Sequence, residues 1–497
     1  MPTTRRQFLK TTAAATGSAL ASLAVSPSRA QARRPMADIV VLLPGIMGSV
    51  LRKDGRDAWA LSGSALLTGL KTLGRSVKGL TLSGDSPDAD VLDDGIVADR
   101  IFPDTHLLPG LWKIDGYSTL SRAIVDEFDV RPGLNYFEFP YDWRRDNRVA
   151  ARRLARLAPG WLRAWRQASG NRDAKLILIA HSMGGLVSRY FLEVLGGWRD
   201  TRMLITFGTP YRGAPNALNS IANGLKKSVG PLNVVDISSL IRSFTSVYQL
   251  LPIYPCYDPG SGQLQRVGEL TDIPNVDATR AKAALDFHNE IRLANEKNAK
   301  DPAYVAGRYT LHPIVGAYQP TMQIGRRVGG SLEMSDRHPL ADIRGDGTVP
   351  QVSATPLEPE ALTKQHRTVF VAEVHGSLQN SRPMLDHLRE LLAEGVVASS
   401  AAFRGPTTKA ISLTVDDLYS SQENVLLKVG CEDPKAPLIV LLTETQSGRQ
   451  VARIALDGAG YAMQAVDYGR LPEGTYRVRA SGIDGGSVSD VFVVIQG

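Results

Sequence analysis

Ser182 lies in the run Lys175-Leu-Ile-Leu-Ile-Ala180-His181-Ser182-Met183-Gly184-Gly185, an apolar segment, a tight turn and the start of an amphipathic helix that runs to Leu195 and stops at Gly196 and Gly197. A serine at such a turn has its hydroxyl lifted clear of the sheet, and small neighbours keep the adjoining elements from colliding. Ala180 stands where the usual five-residue pattern has its first glycine. As a phosphate cradle the same run would need the lysine of a P-loop, which it lacks. A serine hydroxyl is a poor nucleophile until a base takes its proton, so the reading requires a histidine and an orienting acid. Gly345-Asp346-Gly347-Thr348-Val349-Pro350 sets a carboxylate between two glycines, and Val374-His375-Gly376-Ser377 sets an imidazole just past a strand. Of the eight histidines, His366 is the closest rival; His181 is expected to point away at a strand end, His387 lies in a helix and His338 precedes a proline. Asp336 and Asp342 are the rival acids, neither in a glycine-flanked turn that leads to Val-Pro.

The chain order Ser, Asp, His is that of α/β-hydrolases. Acyl transfer also needs donors for an oxyanion, usually the N–H after the nucleophile and one from the loop after an early strand. Met183 supplies the first, and Ile46 in Leu43-Pro44-Gly45-Ile46-Met47-Gly48-Ser49 supplies the second. The expected cycle passes through an acyl-serine that water or an alcohol resolves. It needs no metal or organic cofactor, and neither cysteines nor paired histidines stand at metal-site spacing.

These residues need a scaffold that gathers them at one edge. From Asp38 to about Val396, short apolar runs alternate with helical ones, the pattern of strands buried on both faces of a mostly parallel sheet. The clearest strands are 38–43, 175–180, 202–207 and 368–374, each ending in a Gly- or His-bearing turn at the sheet's carboxyl edge. Residues 51–116 and 211–257 break the alternation and read as caps, with Trp59, Leu66, Leu67, Leu111 and Trp112 as lid candidates over an acyl pocket; packed inward, they are core of the cap. Beyond Ala410, period-2 runs at 410–415, 424–429, 438–444, 450–456, 461–466, 474–480 and 487–495 predict an immunoglobulin-like sandwich. The expected fold class is thus α/β, an α/β-hydrolase with cap or lid insertions over 33–397, a linker at 398–409 and an all-β sandwich over 410–497.

Residues 1–32 are expected to be removed. Thr4-Arg5-Arg6-Gln7-Phe8-Leu9-Lys10 reads as a twin-arginine export signal, a mildly apolar stretch follows, and Ala30-Gln31-Ala32 offers a cleavage site after Ala32. The expected location is periplasmic or secreted. The net charge of +7 loses four cations with that segment, Arg5, Arg6, Lys10 and Arg29, and falls to +3, which removes any argument for nucleic acid. Arginines crowd 144–166, but Val149, Leu154, Leu157, Trp161, Leu162 and Trp165 make an apolar stripe there, so the arginines read as the solvated face of a surface helix. Cys256 and Cys431 fall in different domains, and no disulfide is predicted.

Six motifs in order resemble the lecithin:cholesterol acyltransferase family, which includes lysosomal phospholipase A2 and phospholipid:diacylglycerol acyltransferases, and mark the chain as similar to a bacterial, exported member. They are Leu43-Pro44-Gly45, Phe139-Pro140-Tyr141-Asp142-Trp143-Arg144, His181-Ser182-Met183-Gly184-Gly185, Phe207-Gly208-Thr209-Pro210 with Gly213-Ala214, Gly345-Asp346-Gly347-Thr348-Val349-Pro350, and His375. The resemblance implies Ser182 as nucleophile, Asp346 as acid, His375 as base, Ile46 and Met183 as oxyanion donors, and a lipid ester as substrate, met at a membrane surface. Ile46 replaces the acidic residue that the family's phospholipase has after Pro-Gly, and the cysteine pair of the vertebrate lid is missing. The Tyr141 to Arg144 motif reads as a packed loop with an internal ion pair. Two other functions compete: an esterase for a non-lipid ester, and a catalytically idle exported protein that displays the sandwich to a cell-surface partner. The sandwich is assigned no chemistry and its partner is left open.

Overall fold

The computed structural model describes residues 33–59, 77–103, 105–108, 112–229, 233–339, 344–356, 368–394, 410–433, 435–458, 463–483 and 485–496. The expected signal segment 1–32, the expected linker 398–409, Leu66, Leu67, Leu111, Asp342 and His366 lie outside them, as do the side chains of Trp59 and Trp112.

Six strands form the central sheet: β1 (Ile39–Leu43), β2 (Tyr136–Glu138), β3 (Leu176–His181), β4 (Thr201–Phe207), β5 (Thr310–Gly316) and β6 (Val369–Val371). Their spatial order is β6-β5-β4-β3-β1-β2, and every pair is parallel. Side chains alternate across such a sheet and both faces are covered, which explains why β1 is apolar throughout and β3 is apolar up to His181. Val41, Leu43, Leu178 and Ala180 enter one core with helix Asn147–Ser169, while Val40, Leu42, Ile177 and Ile179 enter a second with helices Ser118–Glu127 and Arg382–Glu394. This is the α/β-hydrolase arrangement.

Several expectations need correction. β5 was not anticipated, because His312 and Pro313 interrupt its apolar run and proline is rare inside a sheet. β6 covers only three residues of the expected 368–374, since Val374 leaves the sheet to join the sandwich core. Within the arginine-rich stretch, helix Asn147–Ser169 begins at the Asp146 cap and ends at left-handed Gly170. Its stripe is incomplete, however: Leu157 is 37% exposed. Arg144 and Arg145 precede the helix and are buried rather than solvated, held by Asp142, Asp94 and Asp85.

The cap regions have structure of their own. Residues 49–114 supply an antiparallel sheet of Ser49–Lys53, Arg56–Trp59 and Ile96–Ile101, and a hairpin of His106–Leu108 with Trp112–Ile114. The second region supplies helix Pro215–Ala222 and hairpin Lys226–Val229 with Asn233–Asp236.

The C-terminal part is a β-sandwich of eight described strands, one more than expected: β7 (Ile411–Val415), β8 (Leu418–Ser420), β9 (Asn424–Cys431), β10 (Leu438–Glu444), β11 (Gln450–Leu456), β12 (Gln464–Arg470), β13 (Gly474–Gly482) and β14 (Ser487–Ile495). One sheet runs β7-β9-β12 and the other β8-β14-β13-β10-β11. Every neighbouring pair is antiparallel except β8 with β14. The unanticipated β8 is too short for an alternation signal, and β12 begins later than the expected 461. Cys256 and Cys431 are both buried, and no disulfide joins them. Among the described residues, no helix is long and apolar enough to cross a membrane.

Candidate active site

Ser182 joins β3 to helix Met183–Arg189 with φ 51° and ψ −124°, a left-handed conformation that costs a non-glycine residue about 1–3 kcal/mol. The turn is held on both sides: Ser182 N–H donates to Phe207 O (2.8 Å), and Thr209 Oγ1 donates to Ser182 O (2.9 Å). The strain is thus offset by hydrogen bonds from the end of β4 and the loop after it.

From Ser182 Oγ, a hydrogen-bonded chain runs inward. His375 Nε2 lies 2.9 Å from the hydroxyl, and His375 Nδ1 lies 2.7 Å from Asp346 Oδ2. The other carboxylate oxygen, Oδ1, accepts from the N–H groups of Thr348 (3.0 Å) and Val349 (2.7 Å), and His375 N–H donates to Asp346 O (2.8 Å). All three residues are buried. The rival acid Asp336 is exposed, and His387 is buried in helix Arg382–Glu394, where burial holds its pKa below the ordinary imidazole value.

The motif Phe207-Gly208-Thr209-Pro210 acquires a reason. Gly208 has φ +57°, and a Cβ there would lie 2.9 Å from both Asp346 Oδ2 and His375 Nδ1. Only glycine fits beside that hydrogen bond. Gly208→Ala is therefore expected to push the imidazole out of line and lower kcat by about 100-fold, the scale of a misplaced catalytic group. Steady-state kinetics on a soluble ester checks this, and a kcat within threefold of wild type would sink it.

The loop after β1 runs alongside the serine: a Cβ on Gly45 would meet Ser182 Cβ at 2.9 Å. Ile46 follows it, buried, and Met183 opens the helix, where the first N–H groups have no intrahelical acceptor. The Phe139 to Arg144 motif anchors this loop. Tyr141 Oη donates to Pro44 O (2.8 Å), Trp143 Nε1 donates to Ser49 O (2.9 Å), and Arg144 pairs with Asp142 (2.6 Å) and Asp94 (2.8 Å).

His181 does not point away, as its place at a strand end suggested. Its Nε2 lies 3.1 Å from His375 O and its Nδ1 3.0 Å from Tyr117 Oη, which also accepts from Gly45 N–H (2.8 Å). A carbonyl can only accept, so Nε2 carries the proton and the tyrosine hydroxyl donates to Nδ1. Burial, and then the charge of His375, push the His181 pKa down to about 3, so the ring stays neutral. The loop that carries Ile46 is thereby tied to the backbone of His375. Tyr117 and Thr209 were not singled out from sequence. Tyr117 lies just past the first cap, at the start of helix Ser118–Glu127, whereas Thr209 stood within a quoted motif.

Comparisons with known proteins bear on this arrangement. Residues 110–281 match the family model described as lecithin:cholesterol acyltransferase, a stretch that contains Ser182, Met183 and Thr209. Over that stretch the chain is similar to the family. The human lysosomal phospholipase A and acyltransferase is 28% identical over 245 residues, 48% of this chain and 56% of that protein. Its Bos taurus counterpart is 28% identical over 126 residues, 24% of this chain and 29% of that protein. The chain thus spans about half or less of the curated relatives it matches. Among solved structures, the Tle4-Tli4 complex aligns with 74% of this chain at a TM-score of 0.47 and 15% identity, and Bacillus licheniformis lipase BlEst2 in mature form with 73% at 0.30 and 12%. Asp346, His375 and Ile46 lie outside the stretch that the family model matches.

Proposed function

We propose that this protein is a serine-dependent acyltransferase or lipase that acts on lipid esters. The observation that carries the reading is the hydrogen-bonded chain Ser182 Oγ, His375 Nε2, His375 Nδ1, Asp346 Oδ2 at a strained strand-to-helix turn. His375 takes the hydroxyl proton as Ser182 Oγ attacks the ester carbonyl, and Asp346 holds the imidazole and stabilises its charge. The N–H groups of Ile46 and Met183 receive the oxyanion. Collapse of the tetrahedral intermediate breaks the ester C–O bond, His375 returns the proton to the leaving alcohol, and the acyl group stays on Ser182. Water then gives a free fatty acid, or a second alcohol gives a new ester, through the same base. The match of residues 110–281 to the lecithin:cholesterol acyltransferase family model supports a lipid substrate.

The test is product analysis by mass spectrometry, with wild type and Ser182→Ala given phospholipid vesicles with and without a long-chain alcohol. Fatty acid or new ester from wild type alone supports the reading, and their ratio separates hydrolase from transferase. Cleavage of a soluble short-chain ester without either product would make it a non-lipid esterase. No cleavage of any ester would leave the idle binding protein.

Export by the twin-arginine route is part of the proposal, on the strength of Arg5-Arg6 and the small residues up to Ala32. Replacing both arginines by lysine should hold the chain in the cytoplasm at its full length. Unchanged processing and export would contradict it.

A further inference from the structure

The sandwich is fastened to the segments that carry His375 and Asp346. Gln319 sits on one of these fastenings. Its backbone exchanges hydrogen bonds with Gly345 (2.9 and 3.1 Å), the residue before Asp346. Its side chain reaches the open edge of β7, where Nε2 donates to Ile411 O (3.0 Å) and Oε1 accepts from Leu413 N–H (2.9 Å). Those two groups face the same way on a strand, so the amide pairs with β7 as a neighbouring strand would and covers an edge that β9 leaves free.

Glu373 sits on the second. Its Oε1 accepts from Ser489 N–H of β14 (2.8 Å) and from Val374 N–H (3.1 Å), next to His375. Val374 itself packs in the sandwich core. A third fastening lies over Gly376, where a Cβ would meet Lys113 O at 2.1 Å. Lys113 Nζ donates to Val415 O (2.8 Å) and pairs with Asp490 (2.7 Å) and Asp417 (3.0 Å), all in the sandwich. Asp115, two residues on, donates its N–H to Gly376 O (2.8 Å) and pairs with Arg477 of β13. A cleft of about 220 Å³ is lined by His375 and Asp346 together with Thr414 and Asp417.

We propose that the C-terminal sandwich is a working part of the catalytic unit, and that Gln319 and Glu373 are positioning residues through which it holds Asp346 and His375 in line with Ser182. The sandwich's partner is then the hydrolase part of its own chain. The proposal rests on the triad reading above. A loop histidine is aligned to a few tenths of an ångström only if its backbone is fixed, and outer-layer groups supply that rigidity.

Glu373 also provides a readout that bulk structure would not. Burial, and then the neighbouring Asp490 carboxylate, raise its pKa from 4.5 to about 8, against the two backbone N–H donors and Arg479. A raised folded-state pKa means that its stabilising contribution is complete below pH 4.5 and is lost as pH climbs towards 8. Glu373→Gln keeps the accepting oxygen and removes the titration.

The experiment measures kcat and KM for p-nitrophenyl butyrate, and Tm from pH 5 to 8, on the full chain. The variants are Ser182→Ala, Gln319→Leu, Glu373→Ala, Glu373→Gln and, as a control inside the sandwich, Leu442→Ala. Gln319→Leu and Glu373→Ala should lower kcat about 10- to 100-fold with KM within threefold. Glu373→Gln should restore most of the kcat lost in Glu373→Ala and lose less Tm than wild type between pH 5 and 8. Leu442→Ala should lower Tm with kcat retained. If Gln319→Leu does not fold, Gln319→Glu, which keeps the acceptor and loses the donor, takes its place. Wild-type kcat in folded Gln319 and Glu373→Ala variants, or an equal loss in Leu442→Ala, would overturn the proposal. Full activity in Ser182→Ala would instead overturn the triad reading, and the proposal with it.

Discussion

Ser182→Ala is expected to leave a folded protein whose ester-cleaving kcat is lower by about 10⁴-fold to 10⁶-fold, the cost of removing the nucleophile from an acyl-transfer triad. Alanine keeps the Cβ and the backbone hydrogen bonds to Phe207 and Thr209, so the turn persists. What is lost is the hydroxyl and its hydrogen bond to His375, a loss of about 1 kcal/mol in stability at most. A large kinetic effect with a small change in Tm is therefore the signature. Retention of more than a hundredth of wild-type kcat, with the variant's purity established, would mean that another group attacks the ester.

Asp346→Asn is expected to lower kcat by about 10³-fold to 10⁴-fold through the wrong histidine tautomer rather than through collapse of the site. The direction follows from the hydrogen bonds of the carboxylate. Oδ1 accepts from two backbone N–H groups, Thr348 and Val349, so the amide oxygen must stay there. The amide NH₂ then occupies the place of Oδ2 and donates to His375 Nδ1. Nε2 is left protonated and cannot take the proton of Ser182. KM should move little, because the hydrogen bonds of the Asp346 carboxylate go to the imidazole and to its own loop. A kcat within tenfold of wild type would place the orienting acid elsewhere.

The parts of the site legible in the sequence are those whose chemistry is local. A serine between an apolar strand and Gly184-Gly185, an aspartate between glycines and a histidine after Val374 could be picked out one by one, and the fold draws these three side chains together. Groups that act across distance left little local trace. Tyr117 reaches Gly45 over 72 residues and His181 over 64, and both contacts depend on how the chain after the first cap folds back on the sheet. Strand alternation gives the face of the His181 side chain but not the loop that covers it. The same limit applies to the fold. Strands β1, β3 and β4 declare themselves because both faces are buried. β5 is masked by Pro313, and Val374 ends up in the sandwich core although its local sequence continues a strand. Gln319 and Glu373 stand in no motif, and only the docked sandwich gives them a purpose.

The central claim, attack by Ser182, is tested most directly by trapping the covalent species. The protein would be mixed with p-nitrophenyl butyrate, quenched in acid at the earliest accessible times, digested and analysed by peptide mass spectrometry. An alkyl fluorophosphonate would provide a stable analogue of the same adduct. The expected result is a single butyryl or phosphonyl group on the peptide that contains Ser182, formed with the burst of p-nitrophenol and absent from Ser182→Ala. Turnover with no adduct at Ser182, or an adduct on another residue that persists in Ser182→Ala, would contradict the account.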